Sequence, residues 1–313
     1  DVPVVPVHLD GLWGSIFSFK DGRFLLKWPQ TIPYPVTLSF GDPLPTRASA
    51  DHVRRAVMEL GAEAWEYRRE PHETLASRFL RSVRRHCGRV AASDTLGTRL
   101  SYLRFGAAAF LLARWLRSQR PNEERIGILL PPSVSGALAN VACALAGRCS
   151  VNLNFSLGPE TMRLLCEKAG LRTVLTSRRF LEKGSLQAPE GAVYLEDLTP
   201  SFGSLPKFAA LLAVWLLPPS WTLRLTGGAT VRRDDPATLI FSSGSTAVPK
   251  GVVLSHHNIL SNMEAFGQVF WVSREDVLAG ILPFFHSFGL TTSLWFPLLL
   301  GFRVAYHPNP LDA

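Results

Sequence analysis

The 313-residue sequence is poor in lysine, cysteine and long apolar runs, and each shortage narrows its chemistry. Lysine supplies six of the 33 basic residues, arginine the rest, and no lysine follows Lys250. The four cysteines, Cys87, Cys143, Cys149 and Cys166, show no C-x-x-C spacing and sit in helix-like or apolar surroundings. They read as reduced and structural, which fits the cytosolic side of a membrane and sets aside a disulfide-stapled secreted domain. The most apolar run, "FAALLAVWLLPPSW" at 208–221, has ten residues before Pro218 and Pro219. That is well short of the ~20 needed to span a bilayer. It reads either as a buried helix or as a helix lying in a membrane interface, with Trp215 and Trp221 at headgroup level. Initiator Met and signal-peptide core are both missing. The chain opens on "VPVVPVHL", a buried-strand pattern, and closes on "HPNPLDA" without a cap, so it is expected to be a fragment.

What is present is enough for a folded α/β protein. Apolar residues make up 47% and charged residues 19%, which supports a real core. The net charge of +8 suits an anionic partner: a membrane surface, a nucleotide, an acidic carrier protein or nucleic acid. Nucleic acid is not expected, because the basic residues are not interleaved with aromatics on a strand platform.

Three stretches differ in pattern. Residues 1–47 read as strands and proline-rich turns. Residues 48–69 read as a helical connector with apolar Val53, Val57, Leu60 and Ala64 on one side. From residue 70 the chain continues to 313 as one domain. It opens with a helix that sets Leu75, Phe79, Leu80 and Val83 opposite a cationic stripe of Arg78, Arg81 and Arg85. That stripe reads as a solvated face or as a contact for anionic headgroups. Beyond residue 90, strands such as "RIGILL", "SVNLNF" and "LRTVLTS" alternate with helices such as "SGALANVACALAG" and "GPETMRLLCEKAG". This alternation predicts an α/β fold with a largely parallel sheet.

The chemistry concentrates in "FSSGSTAVPKGVVLSHHN". Gly244 and Gly251 allow backbone N–H groups to approach a ligand. Ser242, Ser243, Ser245 and Thr246 add hydroxyl donors, and Lys250 adds a point charge. Together they make a nest for a polyanion. It is not a Walker A loop, because Pro249 precedes Lys250 and Gly251 follows it.

This stretch resembles the phosphate-binding loop of the adenylate-forming superfamily, the acyl- and aryl-CoA synthetases and their relatives, with Ala247 in place of a glycine. A second segment, "ILPFFHSFGL", resembles the one near that family's acyl-binding tunnel. The resemblance implies a partial adenylate-forming, acyl-CoA synthetase-like N-terminal domain. It implies ATP and Mg²⁺ as cofactors, Lys250 and His286 as catalytic residues, and Ser242, Ser243, Gly244, Ser245, Thr246, Lys250 and Gly251 as the phosphate cradle. Phe284 and Phe285 would line a hydrocarbon channel, with His286 close to the reacting carboxylate. The family's Tyr-Gly-x-Thr-Glu segment and late lysine do not occur here, so this stretch is not expected to complete the reaction alone.

The opening "DVPVVPVHLDGLWGS" resembles a strand late in the glycerophospholipid acyltransferases, so residues 1–47 are expected to be the C-terminal part of such an α/β domain. The order of the two parts is similar to that of bacterial bifunctional 2-acylglycerophosphoethanolamine acyltransferase/acyl-[acyl-carrier-protein] synthetases. That likeness implies fatty acid, acyl carrier protein or coenzyme A, lysophospholipid and a membrane surface as partners, and the cytoplasmic side of a bacterial inner membrane as location. The acyltransferase acid–base motif, His-x4-Asp, matches only His307 and Asp312, out of order and with two prolines inside, and is rejected. A stand-alone long-chain fatty-acid–CoA ligase is the second reading. A non-catalytic nucleotide- or membrane-binding remnant is the third.

Overall fold

The computed structural model describes residues 2–12, 15–18, 24–25, 33–67, 72–242, 249–270 and 272–307. The chain divides into two compact units, Asp1–Glu70 and Pro71–Ala313.

In the first unit, β1 (Val7–Asp10) pairs antiparallel with β2 (Thr37–Phe40), Val7 facing Phe40 and Leu9 facing Leu38. Helix α1 (Ala50–Tyr67) packs on both strands. Gly61 lacks the Cβ that would crowd the His8 ring, and Leu60 and Ala64, one turn apart, are buried. The stretch expected to be a connector is therefore the packed helix of this unit. The opening run differs from expectation too. Pro3 and Pro6 cannot donate to a ladder, so the strand begins only at Val7. Val7, Leu9, Leu38 and Phe40 stay exposed on one face of an antiparallel pair rather than buried in a parallel sheet.

The second unit holds two sheets. Its strands are β3 (Val90–Asp94), β4 (Arg99–Ser101), β5 (Arg125–Ile128), β6 (Cys149–Asn152), β7 (Val174–Thr176), β8 (Ala192–Tyr194), β9 (Pro236–Ser242), β10 (Lys250–Ser255), β11 (Val277–Gly280) and β12 (Arg303–Tyr306). Six strands run in the order β10-β9-β6-β5-β7-β8, all parallel except β10 at the edge. Four run in the order β11-β12-β3-β4, with β4 alone antiparallel. The helices are α2 (Leu75–Arg85), α3 (Tyr102–Gln119), α4 (Val134–Leu145), α5 (Pro159–Ala169), α6 (Arg178–Lys183), α7 (Leu195–Ser201), α8 (Ser204–Leu216), α9 (Pro219–Thr226) and α10 (His256–Val269), with short helical segments at Ser287–Gly289 and Phe296–Leu300.

Local chemistry sets these boundaries. Thr74 and Ser77 form a reciprocal capping box on α2, and Ser133 accepts from the Gly136 N–H at the start of α4. Gly170 closes α5 in the left-handed conformation at φ 64°. Strands β6 and β7 are buried along their whole length, as parallel strands covered by helices should be. One core gathers Phe79, Phe105, Leu116, Ile126 and Val141, and a second lies around Leu129, Val151 and Leu239.

Two expectations change at the surface. Of α8, only Ala210 and Val214 are buried, so the 208–221 run is not a buried helix: it packs one face on α3 and leaves the other outside. The cationic stripe of α2 is partly neutralised. Arg78 lies 2.9 Å from Glu264, and Arg81 lies 3.0 Å from Glu73.

Candidate functional site

The polar loop closes a hairpin. Strand β10 turns back on β9 so that Lys250 stands directly opposite Ser242, and Gly251 opposite Phe241. The Ser242 hydroxyl donates to the Lys250 carbonyl at 3.4 Å. Ser243, Gly244, Ser245 and Thr246 lie outside the described residues. Ser242 and Lys250 are both exposed, and among the described residues the Lys250 ammonium has no hydrogen-bond or ion-pair partner. The hairpin opens at the carboxyl end of β9, the edge at which the parallel neighbours β6, β5 and β7 also end. In open α/β sheets that edge is where ligands bind.

The base of the hairpin is fixed from both sides. On the sheet side, the Thr238 hydroxyl donates to the Ser150 carbonyl at 2.8 Å and receives the Ser150 hydroxyl at 3.2 Å. On the helix side, Ser255 and Asn258 form a capping box that starts α10. The next residue, His256, is buried and accepts the Leu75 N–H on Nδ1 at 3.3 Å. That N–H is one of the first-turn donors of α2 that no helix carbonyl can reach. Burial holds the His256 imidazole neutral, with a pKa lowered to about 4 against a weaker opposing pull from Asp235. His257 accepts the Nε–H of buried Arg233 at 3.0 Å, and Arg233 in turn lies 3.7 Å from Glu73. The two histidines of "SHHN" thus anchor the hairpin to α2 and its preceding turn.

The second segment leaves the carboxyl end of β11. Phe284 is buried edge-on against Tyr306, with ring centroids 5.6 Å apart, and belongs to the main core. Phe285 is buried against Phe155 at 5.1 Å, and Phe155 meets Phe180 of α6 at 5.4 Å. His286 is exposed, its ring 4.6 Å from that of Phe285, and its carbonyl accepts the Leu290 N–H. The turn is tight: the Pro283 carbonyl lies so close to Gly289 that a side chain there would collide with it. A π-helical stretch, Leu290–Trp295, follows. Such stretches often mark functional sites.

Phe155, from the end of "SVNLNF", is the residue that sequence reasoning missed. It follows β6 and joins the carboxyl edge of one sheet to the loop leaving the other. Its only signal was position, an aromatic just past a parallel strand. Among the described residues no hydrogen bond or ion pair joins Lys250 to His286. The first offers a cation, without a partner among the described residues, across from the Ser242 hydroxyl, and the second stands at the end of an aromatic wall. This combination can hold a polyphosphate at one point and an apolar carboxylate at another. Among the described residues no group of three His, Cys, Asp or Glu side chains stands together as a metal site.

A profile of the AMP-binding enzyme family matches residues 79–313. The medium-chain fatty-acid–CoA ligase of Escherichia coli (strain K12) is 24% identical over 242 residues, covering 74% of this chain and 41% of that protein. The long-chain-fatty-acid–CoA ligase of Haemophilus influenzae is 26% identical over 274 residues, covering 77% of this chain and 48% of that one. The chain spans no more than about half the length of these curated relatives. Among solved structures, a fatty acyl-adenylate ligase from L. pneumophila in complex with acyl adenylate and pyrophosphate superposes with a TM-score of 0.60 at 20% identity, covering 75% of this chain and 40% of that one. The O-succinylbenzoate coenzyme A synthetase of Bacillus subtilis in complex with AMP gives 0.59 at 20%, covering 77% and 56%. These likenesses show the fold: an α/β adenylate-forming domain.

Proposed function

The chain belongs to the AMP-binding enzyme family, and from that premise we propose that it carries the ATP-binding part of an AMP-forming ligase for fatty acids. The observation that carries this reading is the β9–β10 hairpin, which presents an exposed Lys250, without a partner among the described residues, opposite Ser242 at the carboxyl edge of a parallel sheet. In the proposed reaction a carboxylate oxygen attacks the α-phosphorus of ATP and pyrophosphate leaves. A thiolate then attacks the acyl carbon and AMP leaves. The first step needs the triphosphate charge neutralised and the leaving group held, more than it needs a protein nucleophile. Lys250 supplies one positive charge, and Mg²⁺ carried with the triphosphate supplies more. Phe285 and Phe155 would flank the acyl chain, with His286 beside its carboxylate.

The E. coli and H. influenzae relatives, a medium-chain and a long-chain fatty-acid–CoA ligase, support fatty acids as the substrate class. The acceptor is proposed to be the thiol of acyl carrier protein, with coenzyme A as the alternative. Passage of the acyl group to lysophospholipid is proposed from the likeness of residues 1–47 to an acyltransferase strand and from the order of the two parts. This reading puts the protein at the cytoplasmic face of a bacterial inner membrane.

The test is fatty-acid-dependent ATP–pyrophosphate exchange by the full reading frame that contains this chain. Lys250→Ala should lower it at least about 10-fold, on the order of 1.4 kcal/mol of transition-state stabilisation. Unchanged exchange would overturn the assignment. Turnover with carrier protein plus lysolipid, against turnover with free coenzyme A, separates the two acceptors.

A further inference from the structure

Helix α8 packs one face on the protein and, among the described residues, leaves the other uncovered. Ala210 and Val214 seat it against α3. Leu205, Phe208, Leu212, Trp215 and Leu216 recur at helical spacing on the outer side, with Leu205 78%, Phe208 59% and Trp215 50% exposed. Across the Pro218 break, α9 adds Trp221, 58% exposed, and Leu225 one turn on. Soluble surfaces scatter large apolar side chains singly; a continuous stripe of this kind marks an interaction site.

We propose that α8 and α9 form a docking surface for an anionic lipid bilayer, lying in its headgroup layer. This deepens the membrane reading above by naming the surface, and it does not depend on nucleotide binding. Length excludes spanning: 13 residues of α8 reach about 20 Å, against a hydrocarbon core of about 30 Å. No helix among the described residues is long and apolar enough to cross a membrane.

Charge selects the partner. Helices α3, α8 and α9 together carry Arg104, Arg114, Arg117, Lys207 and Arg224 and no carboxylate, and no acidic residue occurs between Asp197 and Asp234. Arg117 donates to the Arg224 carbonyl, so the end of α3 that bears Arg117 adjoins α9. An apolar stripe with tryptophans, on helices whose only charged side chains are cationic, is the pattern of interfacial helices. A protein partner fits less well. Apart from two indole N–H groups, which have no partner among the described residues, the stripe offers no polar side chain, whereas protein interfaces carry about one hydrogen bond per 100–200 Å². Indoles prefer the headgroup level, where the ring is sheltered and the N–H is wet.

The experiment is co-sedimentation of the 313-residue chain with vesicles of phosphatidylethanolamine and phosphatidylglycerol, with pure phosphatidylcholine vesicles as the neutral comparison. The chain should bind the anionic vesicles, more weakly as salt is raised. Phe208→Ser/Trp215→Ser should lower the partition at least about 10-fold while changing the melting temperature little, because both residues are at least half exposed. Bromine-labelled acyl chains should quench part of the tryptophan fluorescence, and Trp215→Phe/Trp221→Phe should remove that quenching. Lys250→Ala should leave vesicle binding intact, so failure of the nucleotide reading would be seen separately. The proposal is overturned if the chain does not sediment with anionic vesicles, or if the serine variant binds as well as the parent. It is also overturned if the chain instead self-associates and the same variant abolishes that association, which would give the face to a second copy.

Discussion

Phe155 and Phe285 meet edge to face, ring centroids 5.1 Å apart at an interplanar angle of 82°, although 130 residues separate them in sequence. The pair closes the carboxyl edge of the six-stranded sheet against the loop that leaves the four-stranded one. Truncating Phe285, which is buried, should cost about 3 kcal/mol of stability. The coupling energy between Phe155→Ala and Phe285→Ala in a double-mutant cycle should be about 1 kcal/mol. Additive effects in urea unfolding would show that the rings do not support each other.

The neutral His256 makes stability depend on pH. Its folded pKa of about 4 lies below the ordinary 6.5, so the unfolded chain binds a proton between these values that the folded chain refuses. Stability should therefore fall as pH drops from about 6.5 toward 4, by on the order of 3 kcal/mol from this group. His256→Gln keeps an acceptor for the Leu75 N–H but does not titrate. Denaturation curves across this window should show a shallower decline for the variant. Parallel slopes in the two proteins would remove His256 from the account.

Glu73 and Arg233 should respond unequally to mutation. Glu73 accepts from Arg81 at 3.0 Å and also lies near Arg78 and Arg233, so losing Arg233 leaves it paired. Arg233 is buried, and Glu73 is its only carboxylate among the described residues. Glu73→Gln should therefore cost about 3 kcal/mol, and Arg233→Met clearly less. The order of the two urea midpoints checks this, and the reverse order would contradict the pairing.

Thiol reactivity should separate the cysteines. Cys143 and Cys149 are buried, and burial pushes the Cys149 thiol up to about 11 and raises that of Cys143 as well. Native-state alkylation followed by mass spectrometry should leave both unmodified while the half-buried Cys87 reacts. Rapid labelling of Cys143 would mean that α4 opens readily.

The parallel strands were legible because β5, β6 and β7 are short apolar runs between helices whose period is plain, as "SGALANVACALAG" shows. The hairpin was legible because small hydroxyl residues, glycines and one lysine rarely fall together between strands. Other features were not. That β12 lies between β11 and β3 is a fact about segments some 200 residues apart, which no local pattern encodes. The run at 208–221 shows that α8 is apolar, but Ala210 and Val214 facing α3 could be found only once α3 was in place. Val7 and Leu9 read as buried for the same reason: hydropathy records what a side chain prefers, and packing decides what it receives.

The four-stranded sheet also has a consequence for biosynthesis. Val304 pairs with Ala92, and the Tyr102 hydroxyl lies 2.9 Å from the carbonyls of Pro297 and Phe302. Strand β3 therefore leaves the ribosome with one edge unpaired, and Tyr102 without its acceptors, until about 200 further residues have been made. At about 5–20 residues per second that wait lasts roughly 10–40 s. During it, the nascent chain presents an open strand edge that its own later residues must reach before another chain does. Slow translation before β12, or a shortage of chaperone, should lower the soluble yield of this protein more than that of an α/β protein whose sheets are completed by neighbouring segments.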